Sequence, residues 1–191
     1  MHRNVRTITA ALIGALSMAA VAHSALDNTS LDNSGYSGAL ETAKAGTAKF
    51  QSLAVAKKAG YGLLKDKKGI SCIAMDTMPG MAAGAMGVHY ANGALVGDGA
   101  LSFDTPEALV YEPLASGKLK LAALEYVVLK TAWDAKHATE PVMFGHKFNE
   151  TYGGNRFGLP AFYSLHVWLF KHNPSGQFAM WNPRVHCASQ S

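Results

Sequence analysis

Three ionisable residues, His89, Glu125 and His166, stand inside stretches that otherwise read as apolar strand. The stretches are Met86-Gly87-Val88-His89-Tyr90-Ala91, Leu121-Ala122-Ala123-Leu124-Glu125-Tyr126-Val127-Val128 and Tyr163-Ser164-Leu165-His166-Val167-Trp168-Leu169-Phe170. Burying an unpaired carboxylate or imidazolium costs several kcal/mol, so such groups pair, neutralise or take a metal. Two imidazoles and a carboxylate form a donor set for zinc, copper or iron that leaves coordination positions open for chemistry. His146, set between aromatics in Phe144-Gly145-His146-Lys147-Phe148, is a candidate extra ligand. Tyr90 and Ser164 are candidates for the hydrogen-bond partners that orient metal ligands from behind. Two metal-free readings use the same residues. One is an acid/base or binding cleft; in the other, each histidine is a satisfied interior residue and Glu125 pairs with Arg156 or Arg184.

A second chemistry rests on aromatic side chains. Trp133, Trp168 and Trp181, with seven tyrosines, offer flat faces on which a sugar or another flat apolar ligand stacks. That reading makes the chain a non-catalytic binding or interaction module, with Trp133 and Trp168 as the stacking candidates. Trp181-Asn182-Pro183-Arg184 fits a terminal plug better, with Trp181 buried and Arg184 paired. No GxSxG motif is present, and Ser164 and Ser175 lack a triad context. Residues 76–87 carry Gly80, Gly84 and Gly87 but neither GxGxxG nor GK[ST], so they read as a close-packed loop rather than a phosphate cradle. His172 and His186 lie near a turn and the terminus, where exposure is the simpler account, and His137 is given no role.

The elements that position these residues follow from periodicity. Leu40, Ala43, Phe50, Leu53 and Ala54 recur at helical spacing from Gly38, with Lys57 and Lys58 in the last turn and Gly60 as C-terminal cap. A turn at Lys67-Lys68-Gly69 precedes a short strand over 70–75. Ala108 to Glu112 and Lys118 to Lys130 read as an antiparallel hairpin about Ser116-Gly117. Thr131 to His137 has helical character around Trp133. Pro160 to His172 is the strongest strand signal, closed by Asn173-Pro174-Ser175-Gly176. One early amphipathic helix followed by mainly antiparallel strands predicts an α+β domain over 38–191, the helix packed on a curved sheet. Strand alternation places Glu125 on a face with Leu119, Leu121, Ala123 and Val127, and His166 on a face with Phe162, Ser164, Trp168 and Phe170. Each polar group therefore points into a covered cleft that is largely apolar, the usual form of a ligand site.

The N-terminus predicts export. Arg3 and Arg6 precede an apolar run from Ile8 to Ala22, and Ala20-Val21-Ala22 satisfies the small-x-small cleavage rule. Cleavage after Ser24 or Ala25 fits as well. The run is short for a membrane span and no second long apolar segment follows, so a soluble secreted or periplasmic protein is expected. No cysteine follows closely enough for a lipid anchor. Residues 23–37, rich in Asn, Ser, Asp and Gly, read as a flexible leader. Cleavage after Ala22 makes His23 a copper-chelating terminus in principle, but a mobile leader does not anchor one. Without Arg3 and Arg6 the chain has 15 basic against 13 acidic side chains, too even a balance for a nucleic-acid surface. A small-molecule ligand is the expected partner, and the sequence does not fix the oligomeric state. The two cysteines, Cys72 and Cys187, predict a disulfide in an oxidising compartment. Closing a loop of that length is worth about 4–5 kcal/mol in the chain-entropy model.

Several blocks together resemble a family of uncharacterised secreted microbial proteins. They are Gly60-Tyr61, Met86-Gly87-Val88-His89-Tyr90, Pro106-Glu107-Ala108-Leu109-Val110-Tyr111-Glu112-Pro113, Leu124-Glu125-Tyr126-Val127-Val128, Leu159-Pro160-Ala161-Phe162-Tyr163-Ser164-Leu165-His166-Val167-Trp168 and Trp181-Asn182-Pro183-Arg184-Val185-His186-Cys187. The resemblance spans most of the chain after residue 38. It implies export and a shared domain, and it implies no activity.

Overall fold

The computed structural model describes residues 28–75 and 84–187, with side chains from Tyr36 onward. The predicted signal, its cleavage site, His23 and residues 76–83 of the glycine-rich segment lie outside the described residues.

The helical region comes in three pieces: α1 (Asn28–Thr47), a 3-10 turn (Ala48–Gln51) and α2 (Leu53–Lys58). The segment expected to be an irregular leader is thus helical in backbone from Asn28. Ser52 breaks the single predicted helix, its backbone extended at φ −86° and ψ 109°. The break resets the helical phase, which is why Ala56 is buried where the unbroken pattern named Ala54. Gly60 caps α2 as expected. At φ +95° it lets its own N–H reach the Lys57 carbonyl and the Tyr61 N–H reach that of Ala56, the paired bonds of a Schellman end.

The strands are β1 (Gly62–Leu63), β2 (Cys72–Ala74), β3 (Ala85–Ala91), β4 (Ala108–Pro113), β5 (Leu119–Leu129), β6 (Val142–Met143), β7 (His146–Lys147), β8 (Asn149–Thr151) and β9 (Phe162–Val167). Two short helices, α3 (Gly93–Asp98) and α4 (Lys130–Asp134), connect them. Among the described residues, seven strands form one sheet in the order β1-β3-β4-β5-β9-β8, with β2 also against β3, and every pairing is antiparallel. β6 and β7 form a separate ribbon. The architecture is α+β: a mostly antiparallel sheet with a few helices.

The two faces of the sheet differ. One carries the large core, in which Leu109, Tyr111, Leu124, Tyr126 and Val128 are completely buried and Ala43, Phe50 and Ala56 join from the helical segment. The Tyr111 hydroxyl donates to the Phe50 carbonyl at 2.7 Å, tying the 3-10 turn to β4. On the other face a smaller cluster of Ala85, Val110, Ala122, Ala123, Trp168 and Val185 sits under the C-terminal segment. Here the predicted strand alternation fails at one point. Val110 pairs with Ala123 but Tyr111 pairs with Leu121, so Ala122 is an extra residue in β5. The bulge shifts the register by one residue, and Leu121 turns into the large core while Ala123, Glu125 and Val127 keep to the opposite face. The Ala122 carbonyl, freed from the ladder, accepts the N–H groups of Phe170 and Lys171.

The disulfide expected between Cys72 and Cys187 is formed, with a sequence separation of 115. It fastens β2 to the C-terminal segment. Among the described residues, no helix is long and apolar enough to cross a membrane.

Candidate metal centre

β3, β5 and β9 each deliver one side chain to the same side of the sheet. Glu125 and His166 are direct cross-strand partners. His89 lies two strands from β5, paired with Val110 on the intervening β4. The cross-strand partner of Glu125 on β4 is Ala108, whose single methyl leaves the space above that strand to longer neighbours. His89 Nε2 consequently lies 3.3 Å from Glu125 Oε2 and 3.4 Å from His166 Nε2. His166 Nδ1 lies 3.5 Å from Glu125 Oε1, and one donor atom from each residue can be chosen so that all lie within 4.8 Å of one another. The imidazoles meet edge to face, with ring centroids 5.6 Å apart.

The histidines form the floor and Glu125 the opening. Side-chain exposure is 3% for His89 and 1% for His166, against 12% for Glu125. Burial pushes both imidazoles down to a pKa of about 4, opposed at His89 by the Glu125 charge. Burial also raises the Glu125 carboxyl above its ordinary range, with His89 and the nearby Ser164 hydroxyl acting in the opposite direction. Neutral imidazoles with available lone pairs are the protonation state metal ligation requires. Among the described residues, His89 Nδ1 and His166 Nδ1 find no hydrogen-bond partner. Gly87, beside His89, has a φ of +109°, and a Cβ there would come within 2.6 Å of the Tyr111 carbonyl oxygen. Only glycine lets β3 pass this close to β4.

Of the expected supporting residues, Ser164 is at the site and Tyr90 is not. Adjacent strand residues face opposite sides, so Tyr90 packs edge to face on Tyr111 in the large core. His146 is also elsewhere: it is exposed on β7, its ring stacked 3.8 Å from that of Phe178, because the turn at Phe144 and Gly145 carries it onto the separate ribbon. The arginines named as alternative partners of Glu125 are engaged otherwise, Arg156 with Asp66 at 2.7 Å and Arg184 with His172 at 3.4 Å. Neither stacking candidate offers an open face. Trp168 is 4% exposed, its indole N–H donates to the Ala179 carbonyl, and its ring lies beside His166. Trp133 is half-buried, with His137 stacked on it at 3.7 Å. In the terminal plug it is Asn182 that is completely buried, bonded to the His172 carbonyl and to Ala85, while Trp181 stays half-buried.

Two clefts meet at Glu125. One, of about 440 Å³, runs between α3 and residues 157–162; the other, of about 300 Å³, is bordered by Ser164, Arg156, Met86 and Trp181. Phe157 and Phe162 line both. The connection 152–161, in which the sequence singled out only Arg156 and the start of the strand run at Pro160, covers this side of the sheet. It is held down by the Asp66–Arg156 ion pair and by the Lys67 N–H donating to the Arg156 carbonyl at 2.9 Å. The run Phe157-Gly158-Leu159-Pro160 between two strands was its available signal, since a cluster of apolar residues in a loop commonly forms a small satellite core beneath it.

No family model, curated protein or solved structure matches this chain. The functional reading therefore rests on the geometry of the site.

Proposed function

We propose that His89, Glu125 and His166 hold a divalent metal ion at the base of an apolar cleft, in an exported protein that binds and activates a small molecule there. The observation that carries this reading is the pair of distances from His89 Nε2, 3.3 Å to Glu125 and 3.4 Å to His166. Ligands 2.0–2.2 Å from a tetrahedral ion are about 3.3–3.6 Å from one another, so two edges of such a polyhedron are already in place. With two imidazoles and one carboxylate bound, a zinc, iron or copper ion keeps a position for water or substrate on the Glu125 side. A bound ion would act there as a Lewis acid or lower the pKa of its water. The engaged faces of Trp133 and Trp168 make the stacking module the weaker alternative. Export is supported by the disulfide and by the N-terminal sequence pattern.

The test is elemental analysis of secreted, untagged protein together with its intact mass. Near-stoichiometric zinc, copper or iron, absent from His166→Ala, is the expected result, on a mature chain beginning near His23. A folded native protein that neither carries nor takes up any of these ions refutes the metal reading.

A further inference from the structure

The larger cleft at Glu125 has an unusual lining for a polar centre. Its walls are Leu63, Leu64, Val96, Val127, Phe157 and Leu159 with glycine and other apolar residues between them, and among the described residues Glu125 is the sole lining residue with a polar side chain. A sugar, nucleotide or peptide needs several hydrogen-bonding side chains along its length, and this wall has none to offer. Its volume, about 440 Å³, lies within the range of small-molecule sites. The cleft reaches the polar centre through Glu125, which contacts both histidines and also lines the smaller cleft with Ser164 and Arg156. A dication held by two neutral imidazoles and one carboxylate carries one net positive charge there. The complementary occupant is apolar along its length and anionic at a single end.

We infer that this cleft binds a medium-chain aliphatic carboxylate, with its chain along the α3 wall and its head at the metal. The inference rests on the metal reading of the trio. It also gives α3 a function: Asn92 caps that helix by accepting the Ala94 N–H at 3.1 Å, Gly99 ends it at φ +70°, and Val96 on it faces the chain.

The experiment uses the full secreted protein loaded with zinc, whose uptake is followed by competition with a chromogenic chelator. Binding of butyrate, hexanoate, octanoate and decanoate is then measured by calorimetry. Affinity should rise about fourfold per added methylene until the cleft is full, the factor set by the transfer free energy of one CH₂. Decanol, which has the chain without the charge, should bind at least tenfold more weakly than decanoate. Val96→Trp should keep one equivalent of zinc and lose at least tenfold in decanoate affinity. Stoichiometric zinc with decanoate bound no more tightly than butyrate overturns the carboxylate assignment and leaves the metal centre standing. Failure of the native protein to take up zinc removes both. Decanol binding as tightly as decanoate overturns the anionic head. Should Val96→Trp fail to fold, the chain-length series in the native protein decides alone.

Discussion

Replacing Glu107 with glutamine should stabilise this protein at neutral pH and leave it unchanged in acid. Glu107 precedes β4, is 2% exposed, and accepts the Val127 N–H at 2.8 Å. Burial pushes its carboxyl from 4.5 up to about 8, with the Val127 N–H opposing and the charges of Asp98 and Glu125 adding to the rise. An acid whose pKa is raised on folding penalises the folded state increasingly as pH climbs above the unfolded value, and the penalty levels off at the folded one. The pH window is therefore 4.5 to about 8. At 1.36 kcal/mol per pH unit, the cost at pH 7 is about 3 kcal/mol, and at pH 4 it is close to zero. Glutamine copies the protonated acid at every pH and keeps an oxygen to accept from Val127. In a domain of this size, about 3 kcal/mol raises the melting temperature by about 6–12 °C. Thermal unfolding of both proteins from pH 4 to pH 8 measures the difference directly. A variant that melts lower than the wild type at pH 7, or a difference that does not change with pH, refutes the account of Glu107 as a buried carboxyl forced to ionise.

Zinc at a hundred times its Kd should raise the stability of the native protein by about 2.7 kcal/mol, seen as a melting shift of about 5–11 °C. His166→Ala and Glu125→Gln should each abolish most of that shift, and either retaining it in full would remove that residue from the site. Asp66→Asn should loosen residues 152–161, read as faster amide exchange at Arg156 and Gly158, whose segment the Asp66–Arg156 pair holds down. The Arg156 guanidinium hydrogen-bonded to Asp66 lowers its carboxyl below 3.8, so the Asp66 contribution is present above that pH and is lost as pH falls through the lower folded value. Exchange in this loop that is unaffected by Asp66→Asn would show that the latch is not what holds it. Cys72→Ser with Cys187→Ser should cost about 4–5 kcal/mol in urea unfolding, given the separation of 115 residues; a loss under 1 kcal/mol would mean the unfolded chain is already compact.

The long strands were legible because their residues leave few alternatives. β5 and β9 are dense in branched and aromatic side chains between turn signals, and both lie where the pattern placed them, with β9 shorter than the run 160–172. The disulfide was legible from two cysteines and an N-terminal pattern that reads as an export signal. The bulge at Ala122 was not, since no glycine or proline marks it and its evidence lies in β4, the neighbouring strand. β6, β7 and β8 are too short and polar to carry a period at all. Within the site, convergence depended on which strands became neighbours, a long-range outcome that no local pattern encodes. Tyr90 is a different case: the period of two already separates it from His89, so expecting both at one site contradicted the strand reading itself. α3 was also recoverable, because Asn92 and Gly99 mark its two ends.

The division between the faces of the sheet explains how so short a chain can hold a buried polar centre. Tyr111, Leu121, Leu124, Tyr126 and Val128, all at 0% exposure, put the bulk of hydrophobic burial on the face toward the helical segment. The opposite face includes the small residues Ala85, Ala108, Ala122 and Ala123 beside Val110 and Trp168, and the alanines contribute little area and leave room above the strands. In that space three long polar side chains from β3, β5 and β9 meet over a fourth strand, β4, that does not obstruct them. Rigid neighbouring strands fix their separations more closely than loops would, as a metal site requires. The desolvation cost of His89, Glu125 and His166 is carried by the apolar core behind them, and the connection 152–161 adds the cover that keeps bulk water from compensating it.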